Sequence, residues 1–303
     1  MKKVGIVIVS YNSSEIMKSC IDAARKACNK NDCLIVVVDN NSKDEIVDVC
    51  KKLRVTVIDN KVNYGFAKAV NQGLDFLEKN KCDYFLILNP DAVLGKDSVA
   101  QMINRQDSDK NIGAVGPRMI DANGSDASSG YYLKAPSFIS VTLFSTHLRK
   151  FFINKKWFVR KFYEESPLID KMNVQQIPGA CIFTSKDKLK NIGNLDEDFA
   201  IWFEDVEWCY RARKKGYTLS YCNDAIVVHE GGVTFTKWNS PDKAVTFYVS
   251  MKTFFRKYKP LQFPFVLISL SINALFSYFK SGDKNQLIFI KKLWKQKRGV
   301  LPE

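Results

Sequence analysis

Val4-Gly-Ile-Val-Ile-Val9, running straight into Ser10-Tyr11-Asn12, decides the fold. An unbroken apolar run of this length is what a strand covered on both faces requires. Ile16, Met17, Cys20, Ile21 and Ala24 then recur at helical spacing. The unit repeats: Cys33-Leu-Ile-Val-Val-Val38, Val55-Thr-Val-Ile58 and Tyr84-Phe-Leu-Ile-Leu88 read as three further strands. Ser42 and Glu45 have the spacing of a capping box, and Gly65 to Leu77 reads as a helix. Short strand–helix units predict a parallel sheet with right-handed crossovers. Ligands bind such sheets at the carboxyl ends of the strands. Three polar groups fall there: Ser10-Tyr11-Asn12, Asp39-Asn40-Asn41-Ser42 and Asn89-Pro90-Asp91. Each alone is an ordinary turn or cap. Three on one edge predict a ligand site.

Beyond residue 120 the periodicity fades. Gly124 to Gly130 reads as a flexible loop, and residues 149–163 mix Lys and Arg with Phe, Trp and Tyr. Order returns at Ile177-Pro-Gly-Ala-Cys-Ile-Phe183. A helix is expected from about Asp205 to Lys215, with Gly216 as its C-cap. Two short strands follow, Thr218–Cys222 and Ala225–Val228, the second ending at His229. The chain has 303 residues, 46% hydrophobic and 26% charged, which are ordinary globular values. One elaborated α/β domain over about 1–240 is expected, followed by a helical region at 241–303. Its first half, 1–120, carries the polar groups at the strand ends, and 121–240 the remainder.

The formal charge of +14 speaks about partners, not fold. Between Lys252 and Arg298 there are eleven Lys and Arg against one acid, Asp283. In the midst of them, Phe263 to Phe279 is apolar apart from three Ser and Asn273. This stretch is slightly short for the ~20 residues of a spanning helix. It reads as an interfacial helix beside an anionic leaflet, with a buried packing helix as the alternative. The eight Cys contain no Cys-x-x-Cys and only two His occur, which argues against a zinc site. Lys2 and Lys3 lead into too short an apolar run for a signal peptide, so free thiols in the cytoplasm are expected.

Val9-Ser-Tyr-Asn12, Val38 to Ser42, Asn63-Tyr-Gly-Phe-Ala67 through Gly73, Leu88-Asn-Pro-Asp91, Ile177-Pro-Gly-Ala180 and Asp196 through Trp202-Phe-Glu-Asp205 to Arg211 occur in order. This series, over about residues 3–260, resembles the family-2 glycosyltransferases of GT-A fold. It is most similar to bacterial rhamnosyltransferases of O-antigen and cell-wall polysaccharide assembly. The resemblance implies inverting transfer of a sugar from a nucleotide diphosphate to an acceptor hydroxyl.

The resemblance also implies roles. Asp39 accepts a pyrimidine N3–H, and Ser10, Tyr11, Asn12 and Asn41 flank base and ribose. Gly65 allows close backbone approach, and the helix opening at Phe66 favours an anion. Asn63, Asn71 and Asn89 face the donor, Asn71 reading equally as a structural polar residue. Asn89-Pro90-Asp91 stands where the family carries Asp-x-Asp. Asp91, with His229, would then hold Mg²⁺ or Mn²⁺ against the diphosphate. Asp205 is the expected general base, and Trp202 and Glu204 meet the acceptor. Without the resemblance, Glu204 and Asp205 would only complement a helix dipole, and Glu207 and Arg211 would simply pair.

The expected donor is dTDP-L-rhamnose, with a UDP-sugar as the alternative. The expected acceptor is a glycan on a polyprenyl diphosphate, and the expected place is the inner face of the cytoplasmic membrane. A chain ending near Pro260 should then lose membrane binding and keep donor recognition. A dinucleotide-binding oxidoreductase would need Gly-x-Gly-x-x-Gly after the first strand, where Ser10-Tyr11-Asn12-Ser13-Ser14 stands. No nucleic-acid-binding motif accompanies the basic charge.

Overall fold

A computed structural model describes residues 2–29, 31–145, 151, 155, 157, 173–229, 240–296 and 301. Most of the basic aromatic stretch 149–163 lies outside them. The four anticipated strands are β1 (Lys3–Ser10), β2 (Asp32–Asn40), β3 (Thr56–Asn60) and β4 (Tyr84–Leu88). β1 pairs in parallel with both β2 and β4, and β2 with β3. Ser10 sits opposite Asp39, so the polar groups do share one edge. The crossovers are α1 (Ser14–Cys28), α2 (Ile46–Lys52) and α3 (Phe66–Lys79). α1 buries Met17, Cys20, Ile21 and Ala24, the residues at helical spacing. α3 lies flush on β1 because Gly73 has no side chain: a Cβ there would stand 2.2 Å from Val7 Cγ2.

Four further strands complete an eight-stranded sheet of order β3-β2-β1-β4-β7-β6-β8-β5. β5 (Ala92–Leu94), β6 (Ile112–Ile120), β7 (Cys181–Ser185) and β8 (Thr218–His229) continue the chain order. β7 runs antiparallel between β4 and β6, whereas β6 and β8 are parallel. The sheet is therefore mostly parallel and flanked by helices, including α4 (Ser98–Asp107), α5 (Ser128–Tyr131), α6 (Phe138–Ser145), α7 (Lys186–Ile192) and α8 (Glu204–Lys214).

Three local expectations are corrected. The two strands expected at 218–228 are one, with a register shift where Pro117 faces Cys222 and Arg118 faces Ile226. The polar Asn223-Asp224 pair looked like a turn, but the bulge absorbs it within the strand. Ser42 and Glu45 form no capping box, since α2 starts at Ile46 and has no side-chain cap. The 124–130 loop is tied down, with Asp121 Oδ1 accepting from Asn123 N and Ser125 N and Arg118 paired with Asp126 at 3.2 Å.

The C-terminal region forms α9 (Ser240–Tyr258), α10 (Phe263–Ser281) and α11 (Asn285–Lys295). Phe254, Phe255, Val266, Leu267, Leu270 and Leu293 build a second core together with Phe199 and Phe203. Lys252 is buried and donates to Leu293 O at 2.8 Å and to Gln296 O, so its ammonium caps the end of α11.

Candidate active site

The donor edge is a hydrogen-bonded turn. Asp39 is buried at the end of β2, and burial raises its carboxyl above the ordinary carboxylate range. Its Oδ1 accepts from Ser42 Oγ at 2.5 Å and from Ser42 N at 3.2 Å. Ser42 Oγ in turn accepts from Asn12 N, and Asn12 Oδ1 accepts from Lys43 N. Asn12 and Asn41 adopt left-handed backbone, φ 53° and 67°, which asparagine tolerates. Tyr11 and Asn41 are half-buried on this turn, while Ser10 is fully buried against Ser13. The serine expected to cap a helix is thus the hub that fixes the Asp39 carboxylate.

Asn40 went unassigned from sequence, yet it organises the neighbouring loop. Its Nδ2 donates to Asn63 Oδ1 at 2.7 Å, and its Oδ1 accepts from Tyr64 N and Asn60 Nδ2. Asn60 and Gln72 exchange two hydrogen bonds. A buried asparagine at a strand end, in a run where its neighbours had roles, was the available signal. The Asn63 carbonyl also accepts from Gly65 N, so its work is to shape the loop.

The start of α3 packs against residue 200. Gly65 has φ 87°, and a Cβ there would stand 2.4 Å from Ala200 O. Phe66 N, the first amide of α3, donates to that same oxygen at 2.7 Å. Asn71 makes structural contacts: Nδ2 donates to Leu195 O and Glu197 Oε1, and Oδ1 accepts from Leu195 N. These donor-side residues therefore grip the 195–200 segment.

Asp91 and His229 meet. His229 Nε2 lies 3.1 Å from Asp91 Oδ1, with both side chains under one-tenth exposed. β5 pairing with β8 places Ala92 opposite His229 and so brings them together. Tyr131, unassigned from sequence, packs its ring 5.3 Å from the imidazole and donates its hydroxyl to His229 O. Among the described residues, His229 Nδ1 is buried without a hydrogen-bond partner. A carboxylate oxygen and an imidazole nitrogen suit Mg²⁺ or Mn²⁺. Two ligands each about 2.1 Å from an octahedral ion sit roughly 3.0 Å apart, close to this spacing. Among the described residues no three metal-ligating side chains converge, so further ligands would come from substrate and water. Asn89 contributes backbone: its N–H donates to Ala180 O.

Asp205 opens α8. Its Oδ2 accepts from Gly179 N at 2.8 Å and its Oδ1 from Val206 N at 2.7 Å. Burial raises its carboxyl against these bonds, which lower it. The residues before it, Trp202 and Phe203, are both left-handed, at φ 62° and 68°. Two such bulky residues store about 1–3 kcal/mol each. Rings hold them: Trp202 and Phe203 pack edge-on against Phe247, and Phe203 also against Phe254. Glu204 is buried, its Oε2 without a partner among the described residues, and burial and the Asp205 charge push its carboxyl well up. Glu207 and Arg211 do pair, at 2.8 and 2.9 Å, and Tyr258 donates to the same carboxylate.

The groups form one chain of contacts. Asp39 joins Asn12 through Ser42, Gly65 joins Ala200, Asp205 joins Gly179, Ala180 joins Asn89, and Asp91 joins His229. The fold is GT-A-like, a nucleotide-sugar transferase architecture. A mannosyltransferase from Pyrobaculum calidifontis, solved with GDP-mannose and Mn²⁺, superposes with a TM-score of 0.56 at 14% identity, over 96% of this chain and 84% of that one. Residues 5–193 match glycosyl transferase family 2, and the chain belongs to that family. A low-salt glycan biosynthesis hexosyltransferase of Haloferax volcanii is 25% identical over 236 residues, 78% of this chain and 69% of that protein. An N-acetylglucosaminyl-diphospho-decaprenol L-rhamnosyltransferase of Mycobacterium tuberculosis is 23% identical over 234 residues, 74% and 75% of the two chains. The chain is a glycosyltransferase.

Proposed function

We propose an inverting transfer of L-rhamnose from dTDP-L-rhamnose to a hydroxyl of a glycan carried on a polyprenyl diphosphate. The observation that carries it is the Asp205 carboxylate, held by two backbone amides and joined through Gly179-Ala180 to the Asn89–Asp91 turn. Asp39 accepts the pyrimidine N3–H. Asp91 and His229 would hold a divalent ion, whose charge would offset that of the leaving diphosphate. Asp205 takes the acceptor proton as that oxygen attacks the anomeric carbon. The bond to the diphosphate breaks on the opposite face and its electrons leave with the phosphate. Trp202 and Glu204 border the acceptor side. The rhamnose and the lipid carrier are supported by the mycobacterial relative. Uracil offers the same N3–H as thymine, so a UDP-sugar is the second reading.

α10 supports a place of action at a membrane surface. It is long and apolar enough to cross a membrane by length and composition. One stripe, Val266, Leu267, Leu270 and Ala274, packs on the protein, while Phe265, Ile268, Ile272, Phe276 and Phe279 are exposed. Lys280, Lys284, Lys291 and Lys295 stand beside them. An apolar stripe flanked by lysines suits an anionic leaflet, so α10 lies in the interface at the cytoplasmic face. Thermal denaturation with dTDP, UDP and their sugars, with and without Mn²⁺, tests the donor. dTDP-rhamnose should stabilise most and only with metal; equal melting in every nucleotide sinks the assignment.

A further inference from the structure

The exposed stripe of α10 and the catalytic elbow are two outlets of one packed core. The elbow's left-handed Trp202 and Phe203 are held by Phe247 and Phe254 of α9. Phe254 and Phe255 share their cluster with Val266, Leu267 and Leu270 of α10 and with Leu293 of α11. Tyr248 packs edge-on to Phe289, and Lys252 caps α11, so α9 binds both helices. α9 grips the elbow by polar contacts too. Ser250 Oγ donates to Ile201 O, and Lys257 Nζ bridges Asp196 and Asp198 at 2.6 and 2.5 Å.

We propose that docking of the α10–α11 face on an anionic lipid surface stiffens the Trp202–Asp205 elbow through α9, so that the catalytic carboxylate is set in place where the acceptor is anchored. This rests on the membrane reading above and adds the coupling to it. The exposed stripe of α10 faces outward while its opposite stripe is seated in the cluster of Phe254 and Phe255. Lipid therefore binds the seated arrangement better than an unseated one and shifts the population toward it. The same rings support the elbow, so the shift reaches Asp205 without lipid touching the site. The charge favours one lipid class: α10 and α11 contain no Asp or Glu.

Hydrogen exchange on the full chain tests this without a sugar substrate. The probes are vesicles of phosphatidylglycerol with phosphatidylcholine, and vesicles of phosphatidylcholine alone. With anionic vesicles, backbone amides of 201–206 should exchange about tenfold more slowly, while those of β2 and β3 should be unchanged. The double variant Ile272→Asp, Phe276→Asp should neither sediment with vesicles nor show the slowing. Phe247→Ala should still sediment but lose most of the slowing. If wild type fails to sediment with anionic vesicles, the membrane reading falls and the coupling with it. If it sediments and exchange at 201–206 is unchanged, the coupling alone is overturned.

Discussion

The 195–203 segment is gripped from two sides, and the grips are built differently. On the donor side Gly65, Phe66 N and Asn71 hold Leu195, Glu197 and Ala200 by backbone contact and amide hydrogen bonds. On the other side α9 holds Trp202 and Phe203 by ring packing, with one lysine across Asp196 and Asp198. Hydrogen bonds at fixed distances leave no slack, whereas rings can slide by tenths of an ångström at little cost. The donor side sets where the loop is. The α9 side sets how firmly Asp205 is presented.

The largest expected effect is on Asp205 itself. Asp205→Asn keeps the shape and removes the proton acceptor. Turnover should fall by about 10²–10⁴-fold with donor affinity near wild type, measured by donor titration beside initial rates. Retained turnover would make the elbow a structural device and remove the point of the comparison.

Next comes the donor-side grip. Gly65→Val places a branched side chain at φ 87° where even a Cβ would meet Ala200 O at 2.4 Å. A loss of about 2–3 kcal/mol is expected in urea unfolding. Lys257→Met on the α9 side should lose only about 0.5 kcal/mol, because the ion pair is partly exposed and screened. Equal losses would show that the two grips are alike.

The donor edge was legible because its polar residues end apolar strands, and the Ser10–Asp39 register places them side by side. The contacts of Gly65 and Asn71 with residues 195–200 were not, since they join positions more than a hundred apart. His229 was paired with Asp91 only through the family resemblance; the contact itself depends on the antiparallel pairing of β5, a three-residue strand too short to read. The C-terminal helices misled differently. α10 is apolar on both stripes, so composition could not separate packing from exposure, and both occur. A chain ending at Pro260 would strip Val266, Leu267, Leu270 and Leu293 from the core of Phe203 and Phe254, so it cannot report on lipid binding alone.

Point changes on the outer stripe can. Phe276→Asp alone should weaken binding to anionic vesicles by about tenfold or more, the weight of one buried aromatic side chain. Its melting temperature should change little, because the Phe276 side chain is more than half exposed. High salt should release part of wild-type binding by screening the lysines and leave the apolar part. A loss of stability in place of affinity would make the stripe a packing face.

The last prediction concerns Glu204, whose buried Oε2 has no hydrogen-bond partner among the described residues. Burial and the Asp205 charge raise its carboxyl well above the ordinary value of 4.5. An acid with a raised folded-state value binds its proton more tightly folded than unfolded. Its stabilising contribution is present below the unfolded value and is lost as pH rises through the folded one. At neutral pH the wild type therefore carries a penalty that Glu204→Gln removes. The variant should melt about 2–4 °C higher at pH 7.5, roughly 1 kcal/mol for a chain of this size. The gap should close as pH is lowered toward 5, because the wild-type carboxyl then takes up its proton. Melting curves of both proteins from pH 8 to pH 5 decide it: a gap independent of pH would assign the gain to packing, and the elbow would hold no ionisation penalty.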